Sequence, residues 1–158
     1  FTPYPVIPFA DSDYESDNRI RIREDSKFMY CDIFSSGRTG MGESFLMKKY
    51  DSKTKVYVED ELVFADHTLL TPDLIDYEKK GLWDGYTRNG MMYLYGFGDG
   101  DEILSNIRSM AVSRDNFQLG ATKCKKGILL RVLGKQSDEI WKLFMEIKRA
   151  VLNNITDK

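Results

Sequence analysis

The chain has 158 residues, of which 42% are hydrophobic and 30% are charged, and its formal net charge at pH 7 is −2. This length and composition suit one globular domain with a core of its own. A nucleic-acid partner would need a basic surface, which the slightly acidic balance argues against. No apolar run is long enough to cross a membrane, and no signal peptide is visible. We therefore expect a cytoplasmic protein that binds neither nucleic acid nor a membrane.

Few residues of the chain suit a soft metal ion. It contains two cysteines, Cys31 and Cys124, and one histidine, His67. A structural zinc site takes four ligands of these types, and these three lie far apart in the sequence. We expect reduced thiols and no stable metal site.

Period-two alternation and short apolar runs predict strands along most of the chain. The first nine residues, FTPYPVIPF, are apolar and spaced by prolines, which favours an extended segment within a longer protein. The acidic stretch at 11–18 is predicted to be a solvated loop. The predicted strands are 19–24, 27–34, 43–50, 55–60, 61–70, 91–97, 116–123 and 127–133, with a polar hairpin turn at 51–54 and an acidic turn at 59–60.

Apolar residues at helical spacing predict two α-helices in the C-terminal third. The first spans 101–112, and the second begins at Ser137, whose hydroxyl suits an N-cap. The apolar stripe predicted for the second helix is Ile140, Trp141, Phe144, Ile147, Val151 and Leu152. The expected fold is therefore a mainly-β body that carries two helices.

The most distinctive stretch is SSGRTGMGESF, at residues 35–45. Gly37, Gly42 and Ser44 match the spacing of a phosphate-binding loop, but Glu43 stands where that loop needs a lysine. The residues that follow also have the pattern of a strand, whereas such a loop leads into a helix. A degenerate phosphate-binding protein is the weaker interpretation, and a glycine-rich hairpin between two strands is the simpler one.

The titratable residues form no recognisable catalytic pattern. No serine or cysteine nucleophile can be paired with His67 from the sequence alone. The residues therefore favour a binding or scaffold module, and we expect no enzymatic activity.

The stretch GRTGMGESF resembles the G-R-x-x-x-G-E-x-F motif of the urease accessory protein family UreD, called UreH in some bacteria. Further segments resemble that family in the same order: PYPVIPF at 3–9, FADSDYES at 9–16, DELVFADHTLLTP at 60–72, LWDGYT at 82–87 and GILLRVLG at 127–134. The resemblance covers nearly the whole chain and the C-terminal part of the family. It implies that residues 1–158 are a single domain, the C-terminal three-fifths of a longer protein.

The resemblance implies a mainly-β fold whose stacked sheets resemble a short β-helix. It also implies a non-enzymatic role in urease maturation. In that role the protein acts with UreF, and through UreF with the GTPase UreG, docks on apo-urease and helps to insert nickel. Ni²⁺ would pass transiently along an internal path, and no cofactor would be tightly bound. A β-rich protein-binding module unrelated to nickel is the alternative. Missing strands would leave an apolar patch through which the chain self-associates.

The resemblance also carries candidate site residues. The family motif turn comprises Gly37, Arg38, Gly42, Glu43 and Phe45, and a second family turn comprises Asp84, Gly85 and Tyr86. A carboxylate is a fair transient ligand for Ni²⁺ and also pairs with arginine. Glu43 is therefore open to two roles, beside the nickel path or as a brace with Arg38. Asp32, Asp66 and His67 are further candidates for the path.

Overall fold

The computed structural model describes residues 1–111 and 116–156. In this part of the chain the elements are β1 Asp13–Ile22, β2 Phe28–Ser35, β3 Lys49–Val58, β4 Glu61–Leu70, β5 Arg88–Tyr95, α1 Gly100–Ala111, β6 Phe117–Cys124, β7 Gly127–Gly134 and α2 Ser137–Thr156. A short 3₁₀ turn at Thr39–Met41 lies between β2 and β3. The predicted mainly-β fold with two helices is confirmed. Helix α2 lies in the C-terminal third of the chain, and helix α1 begins just before that third.

The strands form two sheets with different connections. One sheet has the strand order β1-β3-β4, and the other has the order β2-β5-β7-β6. β1 runs parallel to β3, with Asp13 opposite Lys49, whereas the other paired strands are antiparallel. β2 lies between β1 and β3 in the chain but belongs to the other sheet. The chain therefore crosses between the sheets and returns beside its earlier strand, as in one coil of a β-helix.

The first residues of the chain extend the four-stranded sheet in the same manner. The Val6 N–H donates to the Ile33 carbonyl at 2.8 Å, and the Ser35 N–H donates to the Val6 carbonyl at 2.9 Å. These bonds make a parallel bridge between the segment and β2. The extended segment predicted for 1–9 thus lies along β2, and the two parallel pairings account for the expected resemblance to a short β-helix.

The molecule has three layers. The facing surfaces of the two sheets enclose two apolar clusters, one around Tyr93 and the other around Tyr50. The other face of the four-stranded sheet packs against both helices through a third and larger cluster. Gly90 on β5 permits the close approach of α2, because a Cβ atom at this position would lie 2.6 Å from Cγ2 of Ile140.

The hairpin predicted for 43–60 is wrong. Residues 51–54 do not form a turn but lie in the middle of β3, and 44–48 are irregular. The inward positions of β3 include Ser52 and Thr54, which are buried despite their hydroxyl groups. Buried hydroxyls are tolerated when they are hydrogen-bonded, so their polarity suggested a turn where the chain continues as a strand.

The acidic stretch at 11–18 is also not a solvated loop, because most of it forms the first half of β1. Asp13 and Glu15 point outward and are nearly two-thirds exposed, and Lys49 on the parallel neighbour β3 pairs with both. The alternate residues face the other sheet. An acidic sequence therefore forms a strand here because a lysine on the adjacent strand offsets the like charges.

The second helix differs from its predicted stripe at one end. Ile140, Phe144, Ile147 and Val151 are buried as expected, but Leu152 is 43% exposed. Leu143, which the prediction omitted, is fully buried. For α1, position 112 lies outside the described residues. Neither helix in the described ranges is long and apolar enough to cross a membrane.

Candidate functional site

The family motif forms the connection from β2 to β3, which we call the motif loop (residues 36–48). It is not the predicted hairpin, because β2 and β3 belong to different sheets. Gly37 has φ of 150°, and a Cβ atom at this position would lie 2.8 Å from the Glu43 carbonyl oxygen. Gly42 adopts the left-handed conformation and its N–H donates to the Thr39 carbonyl. The backbone of the loop therefore requires glycine at position 37 and favours it at position 42.

Arg38 and Glu43 form a bidentate ion pair across the motif loop. Nε of Arg38 donates to Oε2 of Glu43 at 2.8 Å, and Nη2 donates to Oε1. The hydrogen bond from Arg38 lowers the pKa of the Glu43 carboxyl. The Arg38 guanidinium also lies 4.5 Å from the ring centroid of Phe9. Glu43 is thus engaged as a brace of the loop.

The phosphate-loop interpretation gains no support from this geometry. The motif loop leads into strand β3 and not into a helix, so it lacks the following helix whose N-terminus holds the phosphate in a phosphate-binding loop. Glu43 holds the position of the phosphate-binding lysine and is paired with Arg38. The glycine spacing therefore serves loop closure in this protein.

The motif loop and the second family turn meet in one aromatic cluster. Phe45 contacts Trp83 edge-on, with ring centroids 5.0 Å apart, and stacks on Tyr77 at 5.5 Å. Trp83 immediately precedes the turn residues Asp84 and Gly85, which are exposed and both have positive φ. The Tyr86 N–H closes this turn on the Trp83 carbonyl at 2.8 Å. Two segments that are distant in the sequence are thus joined by Phe45 and Trp83.

Asp32 and Asp66 approach each other between the two sheets. They line a cavity of about 20 Å³ together with Arg131, which is room for one water molecule. Burial raises the pKa of Asp32, and the negative charge of Asp66 raises it further. Arg131 on β7 forms an ion pair with Asp66. The structure thus brings together two of the four carboxylate and histidine residues proposed for a nickel path, which are Glu43, Asp32, Asp66 and His67.

These carboxylates belong to a polar band that crosses the sandwich. Along β3 the inward residues change from Tyr50 to Ser52 and Thr54 and then back to Val56. The band comprises Ser16, Asn18, Asp32, Ser52, Thr54, Asp66, Thr68 and Arg131, and it lies between the apolar clusters around Tyr93 and Tyr50. Ser16 bonds Ser52 at 3.0 Å, and the Tyr30 hydroxyl lies 3.3 Å from that of Thr54. A polar layer therefore separates the two apolar regions.

His67 lies apart from the polar band. It follows Asp66 on β4, so its side chain points to the opposite face of the sheet. There Nε2 lies 2.9 Å from Oδ1 of Asp51, and the His67 side chain is half exposed. Within residues 1–111 and 116–156, no three His, Cys, Asp or Glu side chains are grouped closely enough to hold a metal ion.

Several residues of this arrangement were not candidates from the sequence, among them Trp83, Thr54 and Arg131. Trp83 stands directly before the Asp-Gly turn, and an apolar residue beside a turn is a signal for a buried anchor. Arg131 is a single charge within the apolar strand GILLRVLG. Asp32 occupies a similar place in β2, and this shared pattern of one polar residue per apolar strand could have indicated the band.

The fold and site define a class: a two-sheet, mainly-β protein with a helical cover, in which a glycine-rich motif loop borders a polar band. The family model described as UreD urease accessory protein matches residues 1–158. The chain belongs to the UreD urease accessory protein family.

Curated relatives agree with this assignment. The chain is 33% identical over 152 residues to urease accessory protein UreD of Acetivibrio thermocellus, which covers 96% of the chain and 58% of that relative. It is 26% identical to UreD of Bacillus cereus, with 98% of the chain and 57% of the relative covered. It is 24% identical to urease accessory protein UreH of Helicobacter pylori, with 100% and 59% covered. The chain thus spans less than three-fifths of the length of these relatives.

Proposed function

We propose that the chain acts in urease maturation as a non-catalytic scaffold in the cytoplasm. In this role it binds UreF, works through UreF with the GTPase UreG, and docks on apo-urease for nickel insertion. Membership of the UreD family carries the proposal. The described residues support a scaffold, since many of their charged side chains form ion pairs with one another, as Lys49 does with Asp13 and Glu15.

We propose further that Ni²⁺ passes along the polar band. Asp32 and Asp66 supply carboxylate oxygens beside a small cavity between the sheets. Carboxylates bind Ni²⁺ more weakly than clustered imidazoles or thiolates, so they allow the ion to move on. The raised pKa of Asp32 follows from its burial and the nearby Asp66 charge, and a passing cation would relieve this repulsion.

The scaffold role is tested by chromatography with light scattering. The 158-residue chain is mixed with UreF, and a full-length UreD protein serves as the control. We expect a co-eluting complex with both. Failure of both to bind would overturn the scaffold role, and a β-rich module unrelated to nickel would then be favoured. The same experiment reveals self-association of the chain when UreF is absent.

The nickel route is tested with variants of the full-length protein during urease maturation in cells. Asp32→Asn removes one carboxylate from the polar band, and His67→Gln is the matched control on the opposite face of β4. We expect Asp32→Asn to lower the nickel content of purified urease, while His67→Gln leaves it unchanged. Each variant is first shown to bind UreF. Equal nickel loading by both variants would contradict the route but leave the scaffold role standing.

A further inference from the structure

β1 is an outer strand of the three-stranded sheet and leaves one edge of that sheet open. It pairs with β3 in one unbroken parallel register from Asp13 to Ile22, and no strand lies on its other side within residues 1–111 and 116–156. The facing sheet ends differently, because the segment 1–9 lies along β2 and contains Pro3, Pro5 and Pro8. Proline cannot donate a hydrogen bond to a further strand and so protects an edge. β1 contains no proline and remains open to pairing.

The backbone of β1 directs alternate residues toward this open edge. The carbonyls of Ser12 and Ile22 accept from the N–H groups of Lys48 and Glu59, which flank β3. Because successive residues of a strand turn their hydrogen-bonding groups to opposite sides, the even-numbered residues of β1 face β3. The odd-numbered residues therefore direct their N–H and carbonyl groups outward, where an additional strand would meet them.

The inner row of β1 is covered less completely than that of its neighbour. Tyr14, Ile20 and Ile22 pack at the margins of the two apolar clusters between the sheets, but each is only partly buried. The inner residues Val56 and Val58 of β3 are fully buried in the same layer. A strand added beside β1 would remove the remaining apolar surface of its inner row from water.

The outward side chains of β1 are acidic in its first half and basic in its second half. In chain order they are Asp13, Glu15, Asp17, Arg19 and Arg21, and Arg23 follows the strand. Their ion pairs within the chain are exposed to solvent, and exposed pairs contribute little to stability. Because the sign of charge reverses at the midpoint, the strand is complementary to a second copy of itself that runs in the opposite direction.

We propose that two copies of the chain pair through their β1 strands, antiparallel and about a two-fold axis at Asn18. Asp17 then lies opposite Arg19 of the second copy, and Glu15 lies opposite Arg21. Each pair occurs twice, because a two-fold interface uses the same surface on both copies. The four charged positions are odd-numbered, so their backbone groups already point to the open edge. The two sheets join into one continuous six-stranded sheet.

The charges select a single register for this pairing. A shift by two residues in one direction would place Asp17 opposite Asp17, and a shift in the other direction would place Arg19 opposite Arg19. Like charges directly opposite are destabilising. The hydrogen-bonded pairing ends at Arg21, because the N–H of Arg23 donates to the Ser26 hydroxyl and the Arg23 carbonyl accepts from the Ser26 N–H. The proposal does not rest on the role in urease maturation.

The first test is sedimentation of the 158-residue chain from low micromolar to near-millimolar concentration. We expect a monomer–dimer equilibrium that weakens as salt is added, because the charge pairs are screened. Arg21→Glu should weaken the dimer about tenfold, since it places like charges opposite each other at two positions. Glu15→Arg should weaken it equally. Lys142→Glu is the control, because it changes the net charge as Arg21→Glu does but lies on the exposed face of α2.

A mixture of the two weakened variants gives the sharpest result. Arg21→Glu and Glu15→Arg each meet like charges in their own dimer, whereas a mixed dimer has opposite charges at both positions. We expect the equimolar mixture to associate about as tightly as the unsubstituted chain. Circular dichroism confirms that each variant is folded, so that loss of association is not loss of structure.

Amide hydrogen exchange measured by NMR locates the interface. The amides of Glu15, Asp17, Arg19 and Arg21 should gain protection as the concentration rises. The even-numbered amides between them should be protected at every concentration, because they bond to β3. This alternation is specific to pairing at the β1 edge.

Several results would overturn the proposal. These are a chain that stays monomeric throughout the concentration range, self-association that Arg21→Glu leaves unchanged, or a mixture that associates no more tightly than its components. Protection that rises only in β4 or β6 would assign the interface to another edge and would also overturn it. The measurements contain neither UreF nor nickel, so failure here is distinguishable from failure of the urease role.

Discussion

Phe45 and Trp83 meet edge to face with ring centroids 5.0 Å apart and planes at 85°, and this contact joins the motif loop to the Asp-Gly turn. Both side chains are more than nine-tenths buried. We expect Trp83→Ala to lower the free energy of unfolding by about 3–5 kcal/mol, because it removes a large buried ring and leaves a cavity. Denaturant unfolding measures the change. Leu74→Ala is the control, because Leu74 is 82% exposed and lies with Trp83 in the connection from β4 to β5. This substitution should change the free energy of unfolding by no more than about 0.5 kcal/mol.

Gly37 should tolerate no side chain. A Cβ atom would lie 2.8 Å from the Glu43 carbonyl oxygen, and φ of 150° disfavours other residues. We expect Gly37→Ala to destabilise the protein by about 1–3 kcal/mol. Gly40→Ala is the matched control in the same loop, since its Cβ would meet nothing within 4 Å and its φ is not positive. Equal thermal unfolding of the two variants would contradict the steric explanation.

The Arg38–Glu43 pair should stabilise the loop in a pH-dependent manner. Arg38 lowers the pKa of Glu43 in the folded state. The pair therefore contributes stability above the ordinary glutamate pKa of about 4.3, and this contribution is lost as the pH falls through the lowered pKa. A double-mutant cycle with Arg38→Gln and Glu43→Gln should give a favourable coupling at pH 7. The coupling should shrink as the pH falls through the lowered pKa of Glu43, and a coupling that does not change with pH would exclude an ionic origin.

The titration of Asp32 should have the opposite effect on the pH dependence of stability. Burial and the Asp66 charge raise its pKa in the folded state, so the folded protein binds the proton more tightly than the unfolded chain. Stability therefore falls as the pH rises from the ordinary aspartate value of about 3.9 through the raised pKa.

Asp32→Asn should accordingly increase the free energy of unfolding at pH 7, by about 1.4 kcal/mol for each unit of pKa shift. The gain should disappear near pH 3. Urea unfolding at both pH values measures it. Asp60→Asn, at a fully exposed position beside Arg21, should alter stability little at either pH. A destabilised Asp32→Asn variant at neutral pH would show that the carboxylate makes a favourable contact instead.

The sequence was sufficient to predict features that depend only on residues close together in the chain. The pairing of Arg38 with Glu43 was one of the two roles left open for Glu43, since the two residues are five positions apart in one glycine-rich loop. The turn at 59–60 and helix α2 follow from local patterns. β3 was predicted as two strands with a turn between them, because Ser52 and Thr54 are inward residues satisfied by partners on other strands. Hydroxyl groups inside a sandwich cannot be distinguished from turn residues without knowledge of those partners.

The polar band required the register of several strands. Asp32 and Asp66 were both candidates from the sequence, but their proximity depends on how β2 and β4 face each other across the sandwich. His67 was grouped with Asp66 as its neighbour in the sequence, and adjacent residues of a strand point to opposite faces. Asp66 and His67 are therefore neighbours in the sequence but lie on opposite faces of their sheet. Asp32 and Asp66 are distant in the sequence but lie close together, because their strands face each other across the sandwich.

The parallel pairing of β1 with β3 has a consequence for folding. Residues such as Ser16 and Ser52, whose hydroxyls bond, are 36 positions apart, and the intervening β2 belongs to the opposite sheet. The pairing of β1 with β3 therefore requires closure of the loop that contains β2 and the motif loop. Contacts between such distant positions slow folding, since a large loop must close before they form. The two sheets are interlaced along the chain, so neither is a folding unit that could be excised from the other.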